Sequence, residues 1–204
     1  SRSFPFVSKV AGVNLIDLAT EVMIASGPIE IPTPYGYERG LVGVKSSMFS
    51  FHRLNGADPI LGVEMVSTGE VAALGRTEHE ALLLSLLASG CKIPRHGVLL
   101  SAGPLKDKHQ LIPTVRFLLQ MGLPIYATTG TAQFFQKLGR PLENVSWDHV
   151  VDEARELIRE HKVDFVINIP KNQTASELSY GYQLRLLAVQ NGCTLMTNAE
   201  EANA

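Results

Sequence analysis

Apolar and polar positions alternate in two different rhythms along this chain, and the rhythm changes near residues 92–96. Before that point Val13, Leu15, Ile16, Leu18, Ala19, Val22 and Met23 recur at helical spacing behind Asn14, a good capping residue, and Gly27-Pro28 ends the run. The opening residues Ser1-Arg2-Ser3-Phe4-Pro5-Phe6-Val7 read as an extended apolar strand already under way, without an initiating Met, as in a piece cut from a longer chain. Pro and Gly make residues 28–43 a loop. Strand-like runs follow around residues 42–50 and 69–74, separated by the turn-rich Asn55-Gly56-Ala57-Asp58-Pro59. Thr77-Glu78-His79-Glu80 has the spacing of a capping box for a helix that runs through the leucines to Gly90. Two helices and a few strands do not close a core of their own, so this part reads as the tail of a larger domain.

From residue 96 the rhythm becomes regular. Apolar runs at 97–101, 124–128, 144–147, 163–168 and 194–197 alternate with helical stretches near 110–121, 131–138, 149–161 and 179–191. Gly122, Gly139 and Gly192 fall where those helices stop. Strand and helix alternating at this spacing predict an α/β fold: a five-stranded doubly wound parallel sheet, preceded by a smaller α+β piece. After the last strand, Thr197-Asn198-Ala199-Glu200-Glu201-Ala202 starts a helix that the chain's end cuts short.

Composition narrows the function classes. With 204 residues and 45% hydrophobic content the chain can pack one large domain or two small ones. Its 18 Lys and Arg against 20 Asp and Glu leave a formal net charge of -2, so no global excess draws it to nucleic acid or to an anionic membrane. Any anion site must be local. Cys91 and Cys193 lie far apart in sequence, which predicts neither a disulfide framework nor a zinc site and fits a reducing, cytoplasmic compartment. Runs such as Ala81-Leu82-Leu83-Leu84 fall well short of the roughly 20 apolar residues of a membrane span.

In a doubly wound sheet, chemistry belongs in the crevice outside the carboxyl ends of the strands, and four features converge there. Ala127-Thr128-Thr129-Gly130-Thr131 leaves a strand and opens a helix, where backbone N–H groups, the positive helix end and the Thr128 and Thr131 hydroxyls make an anion seat that Gly130 lets a ligand approach; an ordinary strand-to-helix turn is the other reading. Lys106-Asp107-Lys108, placed in the loop after the first strand, offers two point charges for phosphate, or is simply a solvated loop. Trp147, ending the third strand, is a stacking wall or a packing residue. Asn168 closes the fourth strand, with Lys171 three residues on, as a ligand contact or an Asx turn. No strand end carries a Ser-His-Asp or Cys-His arrangement, and the six His are scattered, so neither a catalytic set nor a metal site is expected. Glu64 and Glu70 flank Met65-Val66-Ser67-Thr68-Gly69 and are candidate cleft carboxylates for a cation, or plain surface groups.

Long stretches resemble a known family. Ser1-Arg2-Ser3-Phe4-Pro5-Phe6-Val7-Ser8-Lys9, the run from Phe49 through His52-Arg53-Leu54-Asn55-Gly56-Ala57-Asp58-Pro59 to Met65, and Ser67-Thr68-Gly69-Glu70-Val71 resemble the carbamoyl-phosphate synthase large subunit. They are similar to the end of its second ATP-grasp half, and the remainder resembles its methylglyoxal-synthase-like regulatory domain. The resemblance implies residues 1–92 as the C-terminal part of the ATP-grasp domain and residues 96–204 as the allosteric domain. It implies a parent ligase that uses ATP and Mg²⁺, with K⁺ a further candidate, whose nucleotide and metal ligands lie mostly upstream; only Arg2 of that motif remains, so this piece is expected to be inactive alone. Its partners would be the rest of the synthase chain and the glutaminase subunit or domain. By resemblance Glu64 and Glu70 match the segment that supplies an ornithine carboxylate in bacterial enzymes, and Thr128, Thr131 and Asn168 match the effector site. Free-standing methylglyoxal synthases carry acid–base residues after the first strand, where this chain has Ser101-Ala102-Gly103-Pro104, so binding is favoured over turnover. The stretches Lys106 to Arg116 and Gly181 to Arg185 look most like the eukaryotic pyrimidine-pathway enzymes, which implies a uridine nucleotide or phosphoribosyl pyrophosphate as effector. The urea-cycle relatives that respond to acetylglutamate share a Trp like Trp147 and an Asn-x-Pro turn like Asn168-Ile169-Pro170, but have Asn where this chain has Lys171 and Tyr180. They are the alternative, together with a free-standing methylglyoxal synthase.

Overall fold

The computed structural model describes residues 3–32, 40–49, 67–171 and 180–204. These form two compact units, one comprising 3–32, 40–49 and 67–90, the other 91–171 and 180–204.

The first unit opens with helix α1 (Ser3–Ala11). This corrects the extended strand expected over residues 1–7: Pro5 stands in the first helical turn, where a missing N–H removes no bond, so Phe-Pro-Phe does not break the helix. Helix α2 (Leu15–Ile24) starts as expected at Asn14, whose Oδ1 accepts the Ile16 N–H at 3.2 Å. Strands β1 (Val42–Met48) and β2 (Gly69–Gly75) pair antiparallel from Val42 opposite Gly75 to Met48 opposite Gly69. Helix α3 (Glu78–Ala88) covers this pair. Thr77 Oγ1 accepts the Glu80 N–H at 3.1 Å, as the capping box requires, while the Glu80 carboxylate reaches one residue further back, to the Arg76 N–H at 2.7 Å. Arg2, Asn55–Pro59 and Glu64 lie outside the described residues.

The second unit is the α/β domain. Its strands β3 (Val98–Ala102), β4 (Ile125–Thr128), β5 (Glu143–Val145), β6 (Phe165–Ile169) and β7 (Thr194–Met196) are all parallel, in the order β5-β4-β3-β6-β7. Helices α4 (Leu105–Gln110) and α5 (Ile112–Gln120) lead from β3 to β4, α6 (Thr129–Lys137) leads to β5, α7 (Val150–Arg159) to β6, α8 (Tyr182–Gln190) to β7, and α9 (Ala199–Asn203) follows it. Connections on one side of β3 run one way and those on the other side return, so right-handed crossovers place α5 and α6 on one face and α7 and α8 on the other. Alternation along the strands then sends Leu99 and Val166 toward α7 and α8, where Ala154, Ile158, Leu184 and Ala188 complete the core. Gly122, with φ of 77°, takes the left-handed turn that ends α5.

Three expectations need adjustment. The single helix near 110–121 is two, because Pro113 starts α5 afresh and α4 begins earlier, at Leu105. Lys106, Asp107 and Lys108 are therefore helical and not in a loop. Trp147 does not end a strand: β5 stops at Val145, and Trp147 opens a 3₁₀ turn, Trp147–His149.

The segment before β3 is tied to this unit at two points. The Asp164 carboxylate accepts the Arg95, His96 and Gly97 N–H groups at 2.9, 3.3 and 3.5 Å, and the Thr194 hydroxyl accepts the Lys92 N–H at 2.7 Å. At the other end of the strands, β3 and β6 are neighbours whose following helices lie on opposite faces, which opens a crevice between their carboxyl ends. Gly103 sets its floor. Its N–H donates to Ile169 C=O at 2.9 Å, and an added Cβ would fall 2.5 Å from Lys171 N and Cα. Gly103→Ala should therefore push the Lys171 turn away from β3 and cost about 1–3 kcal/mol, the usual penalty of overpacking, in a denaturant melt. Unchanged stability would show that the two segments are not closely apposed.

Candidate anion-binding cleft

The turn from β4 into α6 brings two hydroxyls to the crevice, and they do different work. Thr131, 1% exposed, is clamped to the end of β3: its Oγ1 accepts the Ala102 N–H and donates to the Ala102 C=O, both at 3.1 Å. Thr128 makes only longer contacts, donating to Thr131 Oγ1 at 3.3 Å and to Ser101 Oγ at 3.4 Å. It is also the N-cap residue of α6, yet its side chain makes no bond to the helix's first N–H groups, so the positive end of the helix faces the cleft without a side-chain cap. A Cβ on Gly130 would meet nothing nearer than Lys108 Nζ at 3.9 Å, so the surface there is backbone.

Helix α4 begins after Pro104, and one turn in it carries Lys108, whose Nζ donates to the Gly130 C=O at 3.1 Å. From the end of β6 come Asn168, Ile169, Pro170 and Lys171. Beneath them Arg185, on α8 and 1% exposed, donates from Nη1 to Asn168 Oδ1 at 2.7 Å. Trp147 stands at the wall and meets Tyr180 edge-on, ring centroids 6.2 Å apart. Together these residues line a cleft of about 240 Å³.

Of the residues expected from sequence, Lys108, Thr128, Gly130, Thr131, Trp147, Asn168 and Lys171 all line this cleft. Lys106 does not. Glu64 lies outside the described residues, and Glu70 sits on β2, where its carboxylate pairs with Lys45 Nζ at 3.1 Å. Ser101 and Arg185 were missed as site residues. Leu184, Arg185 and Ala188 are the buried residues of α8, so the available signal was a charge inside the apolar sector of a helix.

The electrostatics are one-sided. Lys108, Lys171 and Arg185 line the cleft, and among the described residues no carboxylate does. Burial pushes the Lys108 ammonium below its ordinary pKa, and the charge of Lys171 pushes it the same way. Such a site attracts an anion and disfavours a cation. Among the described residues no three His, Cys, Asp or Glu side chains converge as for a metal, and no helix is long and apolar enough to cross a membrane. Cys91 and Cys193 form no disulfide and are half-buried, and burial, then the Asp164 charge, pushes the Cys193 thiol up.

The clamp predicts unequal mutants. Thr131→Val should strand the buried Ala102 N–H and lower stability by about 1–3 kcal/mol, whereas Thr128→Val should change stability little. Urea unfolding of both variants checks this; equal losses would contradict the separate roles.

Residues 110–197 match the family described as MGS-like domain. Across 99% of its length the chain is 42% identical to the multifunctional protein pyr-3 of Neurospora crassa, and across 98% it is 44% identical to the multifunctional protein URA2 of Saccharomyces cerevisiae. It covers 12% and 10% of those proteins, so it spans about a tenth of their length. It is 38% identical, over 97% of its length, to the mitochondrial carbamoyl-phosphate synthase [ammonia] of Rattus norvegicus, of which it covers 14%. A five-stranded parallel α/β unit carries the matched segment, so the chain contains an MGS-like domain over residues 110–197 and along nearly its whole length is similar to these multifunctional proteins and to a carbamoyl-phosphate synthase.

Proposed function

We propose that the cleft is the effector site of a glutamine-dependent carbamoyl-phosphate synthase of pyrimidine synthesis, and that it takes a phosphorylated metabolite, a uridine nucleotide or phosphoribosyl pyrophosphate. The observation that carries this reading is the lining itself: three cations, a helix N-terminus and no carboxylate among the described residues. A phosphate group there would meet Lys108, the Thr128 hydroxyl and the first N–H groups of α6 on one side and Lys171 on the other. Trp147 offers an aromatic surface beyond the phosphates, which suits a nucleobase or a sugar edge. The higher identity to the multifunctional pyrimidine proteins than to the ammonia-dependent synthase points the same way.

A binding role is supported over turnover by what the cleft can do chemically. Proton abstraction beside a carbonyl needs a base within hydrogen-bond reach, and the described lining offers neither carboxylate nor imidazole. The parent's ATP, Mg²⁺ and K⁺, its glutaminase partner and the assignment of residues 1–92 to an ATP-grasp domain belong to this same reading. In it the effector acts through its differential affinity for two states of the parent. The segment gripped by Asp164 and Thr194 is then the place where the MGS-like domain holds the chain that leads into it.

Calorimetry with uridine triphosphate, phosphoribosyl pyrophosphate and acetylglutamate tests the reading, each ligand at two salt concentrations. At least one of the phosphorylated ligands should bind, with affinity falling as salt rises, and Lys171→Asn should weaken it and flatten that salt dependence. Acetylglutamate binding alone, unweakened by Lys171→Asn, would overturn the pyrimidine effector. A cleft that binds none of the three would overturn the effector role.

A further inference from the structure

Lys108, Lys171 and Arg185 can only donate to a ligand, but the Asn168 amide can turn either an acceptor oxygen or a donor NH₂ into the cleft. Arg185 removes the ambiguity. Its Nη1 lies 2.7 Å from Asn168 Oδ1, and both residues are buried, 1% and 2% exposed. A guanidinium has five donors, no acceptor and a charge it keeps at every pH at which the protein is folded. Turning the amide over would set NH₂ against N–H in a buried place, so the oxygen must stay on Arg185. Gly181 leaves room for this pairing: a Cβ there would lie 3.0 Å from Arg185 Nη1 and 3.8 Å from Asn168 Oδ1.

We propose that Arg185 is a positioning residue that locks the Asn168 amide with its oxygen inward and its NH₂ toward the cleft, so that the end of β6 presents donors only and selects a ligand group that can only accept there, a fully ionised phosphoryl oxygen. The ligand half of this rests on the effector reading; the lock itself rests on the Arg185–Asn168 pair. It explains how two residues from different elements, 17 positions apart, act as one recognition group. It also makes the cleft consistent in sign, since Lys108 and Lys171 likewise only donate.

Asn168→Asp is the informative variant. It is nearly isosteric, keeps an oxygen for Arg185 and gains an ion pair with it, but turns a second acceptor oxygen to the cleft. The melting temperature should equal or exceed that of the unmodified chain, while affinity for inorganic pyrophosphate falls tenfold or more. In an Arg185→Met background the same substitution should lower the melting temperature, because the carboxylate is then buried without its guanidinium. That reversal of sign needs no ligand, so it decides the lock even if the unmodified chain binds no pyrophosphate, a result that would count against the effector reading instead. Should Arg185→Met not fold, the side-chain NH₂ resonances of Asn168 in the unmodified chain decide: they should shift downfield on adding pyrophosphate to the bound state. Loss of melting temperature by Asn168→Asp with Arg185 present, undiminished pyrophosphate binding by that variant, or NH₂ resonances that ignore bound pyrophosphate would each overturn the proposal.

Discussion

Like charges repel most where water is scarce, and the α/β unit brings Lys108, Lys171 and Arg185 to the wall of one small cleft. Partly desolvated like charges oppose each other more strongly than they would in bulk water, so the surrounding fold must hold them against that cost. Burial pushes the Lys108 ammonium below its ordinary pKa, and the charge of Lys171 adds a smaller push the same way. Holding cations in place before a ligand arrives is what gives a small anion site its affinity, because the anion then meets charges that need no further ordering. The energy to hold them comes from the packed sheet and from the short polar contacts that pin each contributor.

Each contributor is pinned differently. Arg185 is fixed by burial on α8 and by its bond to Asn168; Lys108 by the Gly130 carbonyl; Lys171 by the close approach of its turn to Gly103. Thr131 ties the start of α6 to the end of β3, so the helix end and the first strand keep one geometry. All of these pins lie at the carboxyl ends of β3, β4 and β6, on either side of the point where the strand order reverses. Topology thus supplies the crevice, and a handful of polar contacts decide its polarity.

Much of this was legible in the sequence, for identifiable reasons. Strands buried on both faces appear as short continuous apolar runs, and glycines at helix ends divide them, so the five-stranded sheet could be read directly. Six of the seven expected cleft residues stand at or just beyond strand ends or at helix starts, where the doubly wound rule places chemistry, and Lys108 reaches the cleft from the last turn of α4. Helix α1 was misread because Phe-Pro-Phe-Val resembles a strand unless Pro falls in a first turn, and α4 because Lys-Asp-Lys resembles a solvated loop until Pro104 is seen as its N-cap. Arg185 escaped because its role depends on Asn168, a partner 17 residues away that no local pattern names. Lys106 was carried along with Lys108, but helical geometry points residues two apart in different directions.

An oxyanion bound in the cleft would stabilise the partly buried Lys108 ammonium. Its titration, followed by the ¹³Cε shift in selectively labelled protein with and without phosphoribosyl pyrophosphate, tests this most directly. A bound oxyanion favours the ammonium, so the Lys108 pKa should lie below that of an ordinary lysine in the free chain and move upward on binding, with proton uptake when the pH lies between the two values. An ordinary pKa in the free chain, or no upward movement in the saturated complex, would contradict it.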